Sequence, residues 1–196
     1  MNNLNDPSPS ATYPAQGDDD ARYDGLSIAL HWATAALVFL EFGLGETLGF
    51  FPKAARDLLF IGHMSLGLVL AAVIVLRIFW RLTFGRNSFE TGQDLSESIA
   101  RMMHRVLYVL IVAEVALGVL TRWTENQPLN FFGLLIPSPF GTVSEATGGF
   151  VVDIHAVNAW LIMILVSCHA LAALGHHYLL KDGVLRRMLP WLKVFS

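Results

Sequence analysis

Residues 150–180 read FVVDIHAVNAWLIMILVSCHALAALGHHYLL, and this stretch decides the fold. It is apolar for longer than the roughly 20 helical residues that cross a hydrocarbon core. Yet it carries two histidines well inside it, His155 and His169. An ionisable side chain at such depth costs free energy unless it is paired, which makes each one a candidate for function. Fourteen residues of α-helix are nearly four turns, so both imidazoles fall on one face, about 21 Å apart along the axis. One helix thereby offers a ligand near each membrane surface.

Three further stretches have the same apolar character, at about 26–50, 58–82 and 99–121. Phe51-Pro52-Lys53, Gly85-Arg86-Asn87-Ser88 and a longer stretch with Pro and Gly punctuate them. The 196 residues are 54% apolar and 15% charged, with a mean hydropathy of +0.52, which is outside the range of an ordinary soluble domain. The expected fold is an all-α, four-helix transmembrane bundle in a lipid bilayer. Its organisation follows as a disordered acidic tail over 1–25, the four-helix domain over 26–180 and a basic tail over 181–196. The first tail holds Asp18, Asp19, Asp20 and Asp24 and has no apolar run of the kind a secretory signal needs. The net charge of −3 says little about partners. Cys168 is the single cysteine, which leaves no internal disulfide, no multi-cysteine cluster and no Cys-x-x-Cys-His for covalent haem attachment.

Lysine and arginine resist translocation and so report orientation. One side gathers Arg22, Arg77, Arg81, Arg86, Arg101, Arg105, Lys181, Arg186, Arg187 and Lys193, whereas the other holds Lys53, Arg56 and Arg122. Both termini are therefore expected in the cytoplasm. The third connection, about 122–149, contains the apolar run LNFFGLLI at 129–136. It is long for a bundle connector and is expected to lie along the outer surface as an amphipathic element.

Four of the seven histidines sit in apolar helix: His31, His63, His155 and His169. In an antiparallel bundle the first helix enters from inside with His31 early, and the second from outside with His63 early. His63 then meets His155 near the outer surface, and His31 meets His169 near the inner one. Two bis-histidine sites suit two haems b, whose iron accepts two axial imidazoles. Zinc wants three or four protein ligands at one point, which this depth pattern does not gather. Gly62 and Gly67 beside His63, and Ala170, Ala172 and Ala173 after His169, leave room for a bulky planar group or for close helix packing.

The remaining polar residues are placed by depth. His104 begins the third helix, where it reads as an interfacial hydrogen-bonding group for a haem propionate. His176 shares a face with His169 and is the alternative inner ligand. Arg77 and Arg81 end the second helix on the inner side, positioned either to pair with propionates or to snorkel to lipid headgroups. Glu41 and Glu114 lie in apolar sequence of the outer half, either packed in protonated form or relaying protons.

Arg22-Tyr23, Leu30-His31-Trp32, Gly49-Phe50-Phe51-Pro52-Lys53 leading to His63, then His155, and His169 with Gly175-His176-His177-Tyr178 resemble the bacterial cytochrome b561 family. The likeness extends from Arg22 to Pro190 and includes the spacings of all four intramembrane histidines. It implies a di-haem bundle of the bacterial inner membrane, ligated at the positions of His31, His63, His155 and His169. Within the family the pattern is most similar to superoxide oxidases, which implies superoxide as the periplasmic electron donor and ubiquinone as the acceptor. Lys53 and Arg56 fall where that branch also has basic residues, and as cations they would steer a small anion to His63. Glu41 and Glu114 are outside the pattern. The alternative reading is a haem-bearing membrane anchor that joins a soluble dehydrogenase or hydrogenase subunit to the quinone pool.

Overall fold

A computed structural model describes residues 24–84, 95–141, 143–181, 185, 188 and 189. Most of the tails expected at 1–25 and 181–196 lies outside the described residues, as do Arg22, Arg86, Arg186, Arg187 and Lys193. The described residues form four long helices: α1 (Gly25–Thr47), α2 (Lys53–Thr83), α3 (Leu95–Thr124) and α4 (Glu145–Gly175). Each contains a segment long and apolar enough to cross a membrane. Leu58, Leu82, Val109, Val157 and Leu171 point their side chains outward and are largely exposed. A surface this apolar is stable against lipid and unstable against water.

The helices run past the apolar stretches because helix continues where the bilayer stops. Pro52 precedes α2, fixing the chain before the polar first turn Lys53-Ala-Ala-Arg-Asp. Lys53 and Arg56 therefore belong to a helical turn and not to a loop. The Ser144 side chain accepts from the Thr147 N–H and starts α4 five residues before the apolar run. Asp24 caps α1, accepting from the Ser27 N–H at 2.9 Å, the Ser27 hydroxyl at 2.6 Å and the Trp80 indole at 3.1 Å. Partial burial would raise the Asp24 carboxyl, but these donors hold it below its ordinary value. A 3₁₀ turn (Leu48–Phe50) closes α1, and a π turn (His176–Leu180) closes α4 before Lys181 adopts a left-handed conformation.

The connection between α3 and α4, at the end called outer below, is built as a hairpin: β1 (Leu129–Phe131) pairs antiparallel with β2 (Leu134–Ile136). Phe132 and Gly133 both have positive φ, as a two-residue turn between right-twisting strands requires. The hairpin is pinned through Ser65 of α2, whose hydroxyl accepts from the Phe132 N–H at 2.9 Å and shares its own hydrogen between the Ile61 carbonyl at 2.8 Å and the Asn130 carbonyl at 3.1 Å. Ser65 is fully buried and Leu129 nearly so, so the hairpin seals part of the outer mouth.

Backbones pack closely within the α1–α2 and α3–α4 pairs and less closely between them. The central layer is Val38, Leu70, Ile111 and Ile162, one residue from each helix, joined by Ile74. Val38 is seven residues after His31, Leu70 seven after His63, Ile111 seven after His104, and Ile162 midway between His155 and His169. Seven residues are two turns, the repeat that keeps one face on the seam of a bundle. Stepping outward from the core by seven reaches Gly45, His63, Gly118 and His155; stepping inward reaches His31, Arg77, His104 and His169.

Candidate functional site

The outer layer brings His63 of α2 against His155 of α4, with ring centroids 6.3 Å apart. The inner layer brings His31 of α1 against His169 of α4 at 6.5 Å. Both pairs reach across the looser seam between the helix pairs. A metal–imidazole bond of about 2 Å on each side, plus about 1 Å from nitrogen to ring centre, separates two axial rings by roughly 6 Å. Each pair therefore fits one metal atom between its imidazoles. The rings are inclined to each other by 71° in the outer pair and 68° in the inner one, so neither pair is stacked face to face. Among the described residues, no three His, Cys, Asp or Glu side chains form a metal-holding group.

A cavity of about 390 Å³ opens at the outer pair, lined by His63, His155, Phe42, Leu68, Met163 and other largely apolar side chains. Its size and lining are those of a small-molecule or cofactor site. Space beside the rings comes from Gly45 and Gly118. A Cβ at Gly118 would stand 3.2 Å from His155 Cε1, and one at Gly45 would stand 3.7 Å from His63 Cε1. Gly67 instead faces Glu41, and Gly62 faces open space. The glycines that make room are thus on helices facing the ligands, not beside them in sequence.

Carboxylates back both outer rings. Glu41 Oε2 is 2.7 Å from His63 Nδ1, and Glu114 Oε1 is 3.2 Å from His155 Nδ1. These contacts have hydrogen-bond length without completed hydrogen-bond alignment, and both Nδ1 atoms are buried. Asn158 holds the other oxygen of Glu114 at 2.7 Å while also donating to the Leu110 carbonyl at 3.0 Å. Glu41 Oε1 is buried with no partner.

At the inner pair the neighbours are cationic or neutral. An Arg77 Nη lies 2.9 Å from His31 Nδ1. Guanidinium only donates, so Nδ1 accepts in this contact; ligation of a metal through Nε2 would put the proton on Nδ1 and turn Arg77 to another acceptor. Arg77 and Arg81 both lie over the Tyr108 ring, and the His104 ring is 5.2 Å from that of His169. His176 begins the π turn beyond α4, and two rings lie beside His169, that of His104 at 5.2 Å and that of His31 at 6.5 Å.

Lys53 and Arg56 are exposed in the first turn of α2, with Lys53 Nζ 3.6 Å from Asp57, and neither lines the cavity. The basic residue that does is Arg122. It pairs with Glu125 at 2.9 Å, lies over the Phe60 ring and keeps a buried, unpartnered Nε. Sequence reading placed Arg122 only on the charge map and missed Asn158, Gly45 and Gly118. The seven-residue spacing from the core layer marks both glycines in retrospect.

Comparison with known proteins shows the family. Residues 22–191 match the family described as prokaryotic cytochrome b561. Cytochrome b561 homolog 2 of Escherichia coli is 30% identical over 86% of this chain and 91% of that protein. A Yersinia pestis protein named probable superoxide oxidase CybB is 28% identical over 86% of this chain and 96% of its own. Cytochrome b562 of Cereibacter sphaeroides is 31% identical over 85% and 94%. The chain belongs to the prokaryotic cytochrome b561 family of membrane haem proteins.

Proposed function

We propose that the chain binds two haems b, between His63 and His155 and between His31 and His169, and carries electrons from superoxide outside the inner membrane to ubiquinone. The observation that carries this reading is the pair of imidazole gaps, 6.3 and 6.5 Å, each sized for one hexacoordinate metal. Bound there, haem supplies a one-electron iron couple.

The chain's own residues do the rest. His63 and His155 would hold the outer haem, and His31 and His169 the inner one. Arg77 and Arg81 put guanidinium groups where the carboxylate side groups of an inner cofactor would be bound. Val38, Leu70, Ile111 and Ile162 exclude water between the two layers. Lys53 and Arg56 raise the local concentration of a small anion at the outer end. The reaction balances: two superoxide ions each lose one electron and leave as dioxygen, and ubiquinone takes the two electrons with two protons. The relative named probable superoxide oxidase supports this donor. The positive flanks support cytoplasmic termini.

Purified full-length protein tests the reading. Pyridine haemochrome should give two haems per chain; a ratio near one would sink the two-site assignment. A superoxide flux should reduce the haem spectrum, and ubiquinone should reoxidise it. If superoxide leaves the spectrum unchanged while a soluble partner copurifies, the chain is instead a membrane anchor subunit.

A further inference from the structure

The two imidazole pairs differ in what stands behind them. At the outer pair each ring meets one carboxylate: Glu41 from α1 behind His63, and Glu114 from α3 behind His155. At the inner pair the group at His31 Nδ1 is the Arg77 guanidinium. Helix charge patterning does not explain this, because Glu41 and Glu114 lie inside apolar spans, where a carboxyl group is costly without a partner. Each has found that partner in an imidazole of the same site.

We propose that Glu41 and Glu114 are positioning residues for the outer haem, each accepting the Nδ1–H of one axial histidine and setting that haem's reduction potential below that of the inner one. The proposal rests on the haem reading of the His63–His155 pair.

The chemistry follows from the contacts. An imidazole that binds metal through Nε2 carries its proton on Nδ1, and that N–H needs an acceptor when buried. Glu41 Oε2 at 2.7 Å and Glu114 Oε1 at 3.2 Å are the acceptors within reach. An anionic acceptor draws the proton and leaves more electron density on the ring, which favours the higher oxidation state of the metal it binds. Two carboxylates behind the outer imidazoles lower that couple, whereas the positive charges of Arg77 and Arg81 near the inner pair favour reduction there. Electrons arriving at the outer layer are then driven towards the inner one. Asn158 strengthens the assignment because it fixes the far oxygen of Glu114 and leaves the near one aimed at His155.

Glu41→Gln, Glu114→Gln and the double variant test the idea in the haem-loaded, full-length protein. Glutamine keeps the shape and removes the anionic acceptor, so packing is little altered. Redox titration should show the outer couple shifted by about tenfold towards reduction in each single variant, equal to about 59 mV for one electron. The inner couple should stay in place, and the electron paramagnetic resonance spectrum of the oxidised outer haem should change. Loss of the outer haem alone would also support the proposal, because the isosteric change weakens only the acceptor. If Glu114→Gln gave no folded protein, Glu41→Gln would decide the matter at the other ligand. Two haems with native potentials and spectra in the variants would overturn it. One haem in the native protein would instead overturn the two-site reading on which it rests.

Discussion

His155 and His169 share α4 but face different partners, so their losses should be separable. Replacing His155 with alanine takes away one of the two imidazoles proposed to hold the outer haem and none of those proposed for the inner one. The expected result is one haem per chain instead of two, with the inner couple retained. His169→Ala should give the complement. Retention of both haems in six-coordinate form by either variant would refute the pairing and make His176 the next inner ligand to test. The residue scale also shows where reading a sequence runs out. The four candidate ligands stand out because histidine is expensive in apolar helix. Glu41 and Glu114 are equally expensive, but their partners are on other helices, and nothing along the chain says which ring each will meet.

Among the elements, α3 provides no axial ligand and yet shapes the outer site through Gly118. A Cβ there would sit 3.2 Å from His155 Cε1, tighter than a comfortable contact. Gly118→Val, with two further methyl groups, should displace the ring and reduce outer haem occupancy severalfold at limiting haem, measured by absorbance titration. Gly43→Ala is the control, because a Cβ at Gly43 meets nothing within 4 Å. It should leave haem binding intact and stabilise α1 by up to about 1 kcal/mol, the helix cost of glycine relative to alanine. The existence of each helix was legible from apolar length alone. The hairpin at 129–136 was not, since a short apolar run fits an interfacial helix as well as two strands. Ser65 settles that choice by offering one buried hydroxyl to two hairpin backbone groups.

For the whole molecule, the charge balance at the outer end sets what an approaching anion meets. Lys53 and Arg56 lie outside the cavity, whose own lining includes Glu41, Glu46, Glu114 and Glu125 against Arg122. Attraction at a distance must therefore come from the exposed cations, and such attraction is screened over about 8 Å at physiological ionic strength. Reversing both, Lys53→Glu with Arg56→Glu, should slow haem reduction under a steady superoxide flux by roughly tenfold at low salt and flatten its salt dependence. Reduction by a neutral quinol should change much less. Equal rates and equal salt dependence in native and variant protein would remove the two residues from the mechanism.

Sequence by itself determined the four spans, the two depths at which histidine enters the bilayer and the pairing of those depths. All three follow from one-dimensional quantities: apolar length, helical rise and the alternation of helix direction. Tertiary structure decided the surroundings of each pair. The seam between the helix pairs, the glycines opposite the rings, the carboxylates behind the outer imidazoles and the guanidinium behind His31 all come from neighbouring helices. Their rotation about their own axes is set by packing at the central layer of Val38, Leu70, Ile111 and Ile162. Helical periodicity fixes which residues share a face, but only contact between helices fixes where that face points.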